Sequence, residues 1–185
     1  NIVASYYAGA RFFELKTVQK MDGAELAACI NRPCILAEDE AYNCEWSTEL
    51  YIPQAMGEYI KAWFILHVIA KEFGLGAQDG FQFNISVGYD LEGIKTPKID
   101  SFINNMMEAK DTEIFKECKQ WLLDNIDRFE KVTKKDIEAI PSNICNSATI
   151  STLHGCPPNA IESIANHLFK EKHLNTFIKC NPTLL

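Results

Sequence analysis

The segment HGC (154–156) carries two side chains that can do chemistry, a histidine and a cysteine. It follows the strand-like segment ATIST (148–152) and precedes two prolines, which is typical of a loop between a strand and a helix. His154 and Cys156 could supply two metal ligands, although the other ligands of a closed zinc site are not evident in the sequence. A thiol ahead of a helix N-terminus is also a candidate acid, base or nucleophile. The remaining interpretation is a tight loop that requires Gly155, with an unreactive cysteine beside it.

Other polar side chains occur where apolar segments end. They are Lys16 and Thr17, Asn84 and Ser86, Ser151 and Thr152, and Lys179 and Asn181. Because the carboxyl ends of parallel strands form the ligand-binding edge of α/β folds, these pairs predict a shared site. A lysine that closes an apolar strand is costly to bury without a partner, so Lys16 and Lys179 indicate an anionic ligand or an electron-rich ring. The alternative is that both lysines extend into solvent.

Strand and helix patterns alternate along the chain and would position these residues. Strand-like segments are expected at 11–18, 81–89, 146–152 and 176–183. Helical spacing is expected at 1–10, 53–73, 98–109, 111–123 and from Pro157 to about residue 172. Such alternation favours parallel strands with crossover helices. Because a closed eight-stranded barrel takes about 250 residues, four strands fit an open α/β sheet or part of a barrel.

The chain shows no internal repeat or clear linker, and we assign residues 1–185 to a single domain. It begins at Asn1 and ends at Leu185 directly after a strand-like segment. We therefore expect an incomplete piece of a barrel within a larger multi-domain protein, and we do not expect the piece alone to be active. The charged segment 124–136 is interpreted as a solvated helix or connector.

Composition argues against several functional classes. The net charge of −7 disfavours a nucleic-acid surface, and no apolar run reaches the roughly 20 residues of a membrane span. Seven cysteines without a C-x-x-C pair favour reduced thiols and a cytoplasmic location over a disulfide framework. The dinucleotide fingerprint, the P-loop and the nucleophile elbow are missing from the sequence.

Five longer segments carry a family resemblance: RFFELKTVQKMDG, YNCEWSTELYIPQAM, FQFNISVGYDLEGIKTPKID, ATISTLHGCPPNAIESIA and TFIKCNPTLL. In them the chain resembles the YgfK-type selenate reductase subunit family, which comprises large bacterial iron–sulfur flavoproteins related in one part to the small subunit of glutamate synthase. The matching region is similar to the FMN-binding barrel of dihydropyrimidine and dihydroorotate dehydrogenases. The resemblance therefore implies an α/β fold, part of a (β/α)8 TIM barrel of the FMN-linked oxidoreductase type.

The resemblance also implies roles for individual residues. Those expected to contact FMN are Lys16, Thr17, Asn43, Thr149, Ser151 and Lys179. Those expected to contact the substrate are Glu45, Asn84, His154 and Asn181. Thr149 stands where related barrels have a flavin-contacting asparagine. Thr152 stands at the catalytic cysteine or serine and is a much poorer acid or base, so Cys156 is the second catalytic candidate.

Two functional hypotheses follow from the resemblance. In the first, the chain contributes about half of an FMN site to an electron-transferring oxidoreductase that acts on an unknown small molecule. Iron–sulfur clusters, FAD and NAD(P)H would then belong to other parts of the parent chain, and those domains and other oxidoreductase subunits would be its partners. In the second, the barrel has lost its cofactor, as Thr149 and Thr152 indicate, and acts as a docking or structural module.

Overall fold

The computed structural model describes residues 1–15, 18, 23, 25, 50–88, 90–151 and 156–180. Its strands are β1 (Phe12–Glu14), β2 (Gln82–Val87), β3 (Cys145–Ile150) and β4 (Asn175–Ile178). Its α-helices are α1 (Ile2–Tyr7), α2 (Ile52–Phe73), α3 (Leu91–Ile94), α4 (Pro97–Met107), α5 (Glu113–Asp124), α6 (Lys134–Glu138) and α7 (Pro158–Asn166). A 3-10 turn at Ile126–Arg128 and a π-helical turn at His167–Glu171 complete the described elements.

The four strands form one parallel sheet in the order β1-β2-β3-β4. The register pairs Phe13 with Phe83, Ile85 with Ala148, and Ile150 with Ile178. In a doubly wound sheet the strand order reverses at a switch point, whereas in a barrel each strand lies beside its predecessor. The order in the described residues has no reversal, so the prediction of parallel strands is confirmed and the barrel arrangement is favoured over the open sheet.

The predicted elements are confirmed, with differences at their ends and in one loop. Between the predicted strand at 81–89 and the predicted helix at 98–109, where no element was predicted, the structure contains α3. Its N-cap is Asp90, whose carboxylate accepts the Gly93 N–H at 2.6 Å. Strand β4 ends at Ile178, whereas the predicted strand extends to residue 183. Residues 181–183 lie outside the described part of the chain. The charged segment 124–136 holds the 3-10 turn and the first residues of α6.

One face of the sheet packs against helix α2 and forms the core. Phe83, Ile85 and Val87, alternate residues of β2, are completely buried. The Trp63 ring of α2 packs edge-on against Phe83, with ring centroids 5.2 Å apart. The Trp63 indole Nε1 also donates to the Pro141 carbonyl oxygen at 2.9 Å, so its polar atom is satisfied.

His67 lies one helical turn after Trp63 and is enclosed in the same aromatic core. Only 2% of its surface is exposed, and its ring centroid lies 4.7 Å from that of Trp63. Burial lowers the pKa of His67 to about 4, against a smaller opposing attraction from Asp79. The side chain is therefore neutral at physiological pH, and it belongs to the buried face of the helix that was predicted at 53–73.

Candidate functional site

Side chains from the two outer strands of the sheet contact each other, which shows that the sheet is strongly curved. The rings of Phe12 in β1 and Phe177 in β4 are 6.3 Å apart between centroids. Lys179, just after β4, places Nζ 3.9 Å from Glu14 Oε1 in β1. In a flat sheet these outer strands would be about 14 Å apart, and their side chains would stand perpendicular to the sheet without converging. These four side chains therefore lie on a concave face, opposite the helix-packed face.

The concave face carries a group of contacting polar side chains, Glu14, Asn84, Thr149 and Lys179, which we call the concave cluster. Asn84 Nδ2 donates to Thr149 Oγ1 at 2.7 Å, and the Thr149 hydroxyl donates to Glu14 Oε2 at 3.4 Å. The interior layers of (β/α)8 barrels are dominated by branched apolar side chains. A polar cluster in their place requires hydrogen-bonded partners, because unpaired polar groups are costly to bury.

Solvent exposure increases across the concave cluster, from Asn84 and Thr149 to Glu14 and Lys179. Asn84 is completely buried, and Thr149 is 5% exposed. The side chains of Glu14 and Lys179 are 40% and 55% exposed. At this exposure an ion pair contributes about 0–1 kcal/mol. The contact with Glu14 is therefore weak, and the Lys179 ammonium can still bind an anionic group.

The amide oxygen of Asn84 is an unmet acceptor within this cluster. It is buried, and no donor reaches it from the described residues. A buried polar atom left unpaired costs about 1–3 kcal/mol, which makes it destabilising unless something else donates to it. The oxygen can accept an N–H or O–H from a ligand. The Asn84 amide that carries it is held in place by the hydrogen bond to Thr149.

A bulge in β3 decides which of its residues reach the concave face. Phe83 pairs with Cys145, but Ile85 pairs with Ala148, so β3 has one extra residue between the two pairs. Gln82 Nε2 contacts both Asn146 Oδ1 at 3.0 Å and Ser147 Oγ at 3.3 Å, which places two successive residues on the same side. Without the extra residue, strand alternation would have put Ala148 instead of Thr149 in the cluster.

Backbone hydrogen bonds continue past the strand ends and fix the carboxyl edge of the site. The Lys179 N–H donates to the Ile150 carbonyl oxygen at 3.1 Å, and the Ser151 N–H donates to the Val87 carbonyl oxygen at 2.9 Å. Ser86, the next residue of β2 that alternates with the buried apolar ones, is 1% exposed. Of the predicted strand-end group, Asn84 and Lys179 lie in the concave cluster, where Thr149 and Glu14 connect them. Ser151 is bound to β2 through its backbone, and the roles assigned to these residues remain predictions.

Cys156 lies apart from this cluster in the connection between β3 and α7. Its side chain is half-buried, and it makes no hydrogen bond or ion pair with any residue that the structure describes. The remaining predicted site residues lie outside the described residues: Lys16, Thr17, Asn43, Glu45, Thr152, His154 and Asn181. Across the described ranges, no group of three or more His, Cys, Asp or Glu side chains is placed to hold a metal ion.

Glu14 is the one member of the concave cluster that the sequence analysis did not select. The alternation in FFELK contains the signal: Phe13 and Leu15 are buried, so Phe12 and Glu14 must face the other way. A carboxylate in mid-strand on the inner face of a barrel is unusual, since such positions favour branched apolar residues.

The whole chain, residues 1–185, matches the family described as "Oxidoreductase YgfK, N-terminal TIM-barrel domain". The chain belongs to this family. The parallel, curved sheet with its consecutive strand order is that of a partial (β/α)8 barrel, so the predicted fold class is confirmed. The predicted YgfK-type family is confirmed as well.

The YgfK proteins of Escherichia coli strain K12 and strain O157:H7 are each 47% identical to this chain over 199 residues. The alignments cover all of this chain but 19% of each relative, so the chain spans about a fifth of their length. No solved structure gives a significant match. Among the described residues, no helix has both the length and the apolar character that crossing a bilayer requires.

Proposed function

We propose that the concave face is about half of an FMN site in an oxidoreductase, within a larger iron–sulfur flavoprotein. The observation that carries the proposal is the concave cluster itself. It connects a partly exposed ammonium, on Lys179, through Glu14 and Thr149 to Asn84, whose buried amide oxygen has no donor among the described residues. Ligands of barrel enzymes bind at that edge, and the family to which the chain belongs is named for an oxidoreductase.

The side chains of the concave cluster fit a flavin ring. The ring has an imide N–H between two carbonyl groups, so it needs one acceptor and one or more donors. Asn84 Oδ1 is an acceptor without a donor in the described residues, and Lys179 supplies a positively charged donor. When bound, FMN would supply hydride and single-electron chemistry that amino-acid side chains lack. Lys16, Thr17, Asn43, Thr149 and Ser151 are the other residues that we propose to hold it.

The substrate side of the proposed site is defined less closely. We assign Glu45, His154 and Asn181 to substrate contact, and Thr152 or Cys156 to proton transfer. Asn84, which the sequence analysis expected to contact the substrate, is assigned here to the flavin ring. Cys156 is the second candidate for proton transfer because thiols in general are better acids and bases than the hydroxyl that Thr152 carries. The substrate itself is a small molecule of unassigned identity.

The remainder of the parent chain completes this proposal. Iron–sulfur clusters, FAD and an NAD(P)H-linked module would be in its other domains, which are the expected partners together with other oxidoreductase subunits. Cys118, Cys145, Cys156 and Cys180 are free thiols, which supports a reducing, cytoplasmic location.

A second candidate function is a docking or structural module without a cofactor. It is favoured by the contacts of Glu14, which already lies near Lys179 and accepts from Thr149. In this interpretation the concave cluster is an internal polar network that stabilises the barrel and offers nothing to a ligand.

Release of flavin from the full-length protein separates the two candidates. FMN and FAD are quantified after denaturation of the wild-type protein, of Lys179→Ala and of a control, Lys170→Ala, which removes an exposed lysine from the π-helical turn. We expect FMN in the wild type and the control and a large loss from Lys179→Ala, with FAD unchanged. If the wild type contains FAD alone, or if FMN is retained in Lys179→Ala, the FMN proposal is wrong and the docking function is supported.

A further inference from the structure

Glu14 occupies the central position of the concave cluster. One carboxylate oxygen lies 3.9 Å from Lys179 Nζ, and the other accepts from Thr149 Oγ1 at 3.4 Å. Its carboxylate therefore reaches the neighbouring side chains on both β3 and the end of β4.

The Thr149 hydroxyl links Glu14 to the buried amide of Asn84. A hydroxyl has one proton to donate and lone pairs with which to accept. Because the proton of Thr149 is directed to the Glu14 carboxylate, the hydroxyl oxygen is left to accept, and it accepts from Asn84 Nδ2 at 2.7 Å. An ionised carboxylate can only accept, so this direction of donation is fixed as long as Glu14 is charged.

The direction of these bonds sets the orientation of the Asn84 amide. With Nδ2 bound to Thr149, Oδ1 must point away from the hydroxyl, and it finds no donor among the described residues although it is buried. If Glu14 were replaced by an apolar residue, the Thr149 hydroxyl could donate its proton to Asn84. The amide would then be stabilised in the flipped orientation, with its oxygen facing the hydroxyl. The amide oxygen would then no longer be available to a ligand.

We propose that Glu14 is a positioning residue of the flavin site, which acts through Thr149 to present the Asn84 amide oxygen to the ligand's N–H. This inference rests on the proposed FMN function and adds to it the residue that fixes the acceptor. Glu14 itself need not touch the ligand. Its carboxylate is needed as an acceptor, so glutamine, which retains an acceptor oxygen of nearly the same reach, is expected to substitute for it in part.

The test measures FMN affinity by fluorescence titration of the flavin-free, full-length protein. Glu14→Leu is expected to weaken FMN binding by about tenfold, the usual effect of one hydrogen bond, and Glu14→Gln is expected to recover most of the loss. Glu162→Leu replaces an exposed glutamate of α7 and is the matched control, with no expected change. Thr149→Ser keeps the hydroxyl and is expected to bind FMN more tightly than Thr149→Val, which removes it.

A double-mutant cycle separates positioning from a general effect of charge or folding. Because Glu14 acts through Thr149, Glu14→Leu should cause no further loss in a Thr149→Val background. The nitrogen-15 shift of the ring imide in labelled FMN gives a second readout, which should move toward the value without a hydrogen bond in Glu14→Leu and return in Glu14→Gln. A merely structural Glu14 would not move that shift.

The outcomes distinguish this inference from the function on which it rests. If the wild type binds FMN but Glu14→Leu binds it equally well, or if the losses from Glu14→Leu and Thr149→Val simply add, the positioning role is wrong and the FMN site stands. If the wild type binds no FMN, both are wrong. Should Glu14→Leu fail to fold, the comparison of Thr149→Val with Thr149→Ser still tests whether the hydroxyl directs the amide.

Discussion

The two faces of strand β2 carry different side chains, apolar on the side of the helices and polar on the concave side. Phe83, Ile85 and Val87 point to the helices and are completely buried, and Phe83 packs against the Trp63 ring. Asn84 points to the concave face, is equally buried, and keeps an amide oxygen for which the described residues supply no donor. Burial alone therefore does not separate core from site. Asn84 differs from its apolar neighbours in β2 because its buried oxygen is an unpaired acceptor, which costs stability and which a ligand on the concave face can use.

The largest expected effect on stability comes from the helix-packed face. Phe83→Ala should destabilise the domain by about 3–5 kcal/mol, because it opens a cavity beneath Trp63 in a close-packed aromatic group. Its counterpart is Phe177→Ala on the concave face, where the ring is 49% exposed and the expected loss is below about 1 kcal/mol. Hydrogen exchange in peptides from β2 and α2 of the full-length protein measures both. Equal losses for the two variants would remove the distinction between the faces.

The buried histidine of the helix-packed face should make that face sensitive to acid. The unfolded chain protonates His67 near its ordinary pKa of 6.5, whereas burial lowers the pKa of the folded protein to about 4. The unfolded state therefore binds more protons between these values, so stability falls as the pH drops from 6.5 to 4, by at most roughly 3 kcal/mol. His67→Phe removes the titrating group and should flatten this dependence.

Hydrogen exchange of α2 peptides, corrected for the intrinsic effect of pH, reports the His67 prediction. The wild type should lose protection progressively below pH 6.5, while His67→Phe should lose much less. An identical pH dependence in the two proteins would show that other groups are responsible. Substitutions in the concave cluster are expected to reduce stability less than substitutions in the helix-packed face, because we propose that the concave face binds a ligand.

A smaller loss of stability is expected when the polar network of the concave face is broken. Thr149→Val keeps the shape of the side chain but removes the acceptor of the Asn84 Nδ2 donor. We expect destabilisation of about 1–3 kcal/mol, the cost of a buried donor without a partner. Thr149→Ser, which retains the hydroxyl, is the control. A Thr149→Val protein as stable as Thr149→Ser would mean that the 2.7 Å hydrogen bond contributes little.

Much of the fold could be predicted from the sequence because each element has a local signal. Apolar runs such as FQFNISV identified the strands, and helical spacing that ends at Gly74 identified α2. Strand ends also selected Asn84 and Lys179, since parallel strands bring their carboxyl ends to one edge, whereas Thr149 was selected by the family resemblance.

The rest depended on contacts that a local pattern does not contain. Glu14 joins the site because the sheet curves enough for β1 to face the end of β4, and curvature depends on all four strands together. The bulge that turns Thr149 toward the concave face is a mismatch in register between β2 and β3, which neither strand shows alone. The short helix α3 was missed because its four residues are too few for a periodic pattern.

The central claim is that the concave face binds flavin while the helix-packed face supplies stability. It is tested most directly by titrating FMN into flavin-free, full-length wild type, Lys179→Ala and Lys170→Ala while following thermal unfolding of each. The account predicts that Lys179→Ala binds FMN at least about tenfold more weakly, since it loses a charge-assisted hydrogen bond, and unfolds at an unchanged temperature. Equal FMN affinity in all three proteins would contradict it.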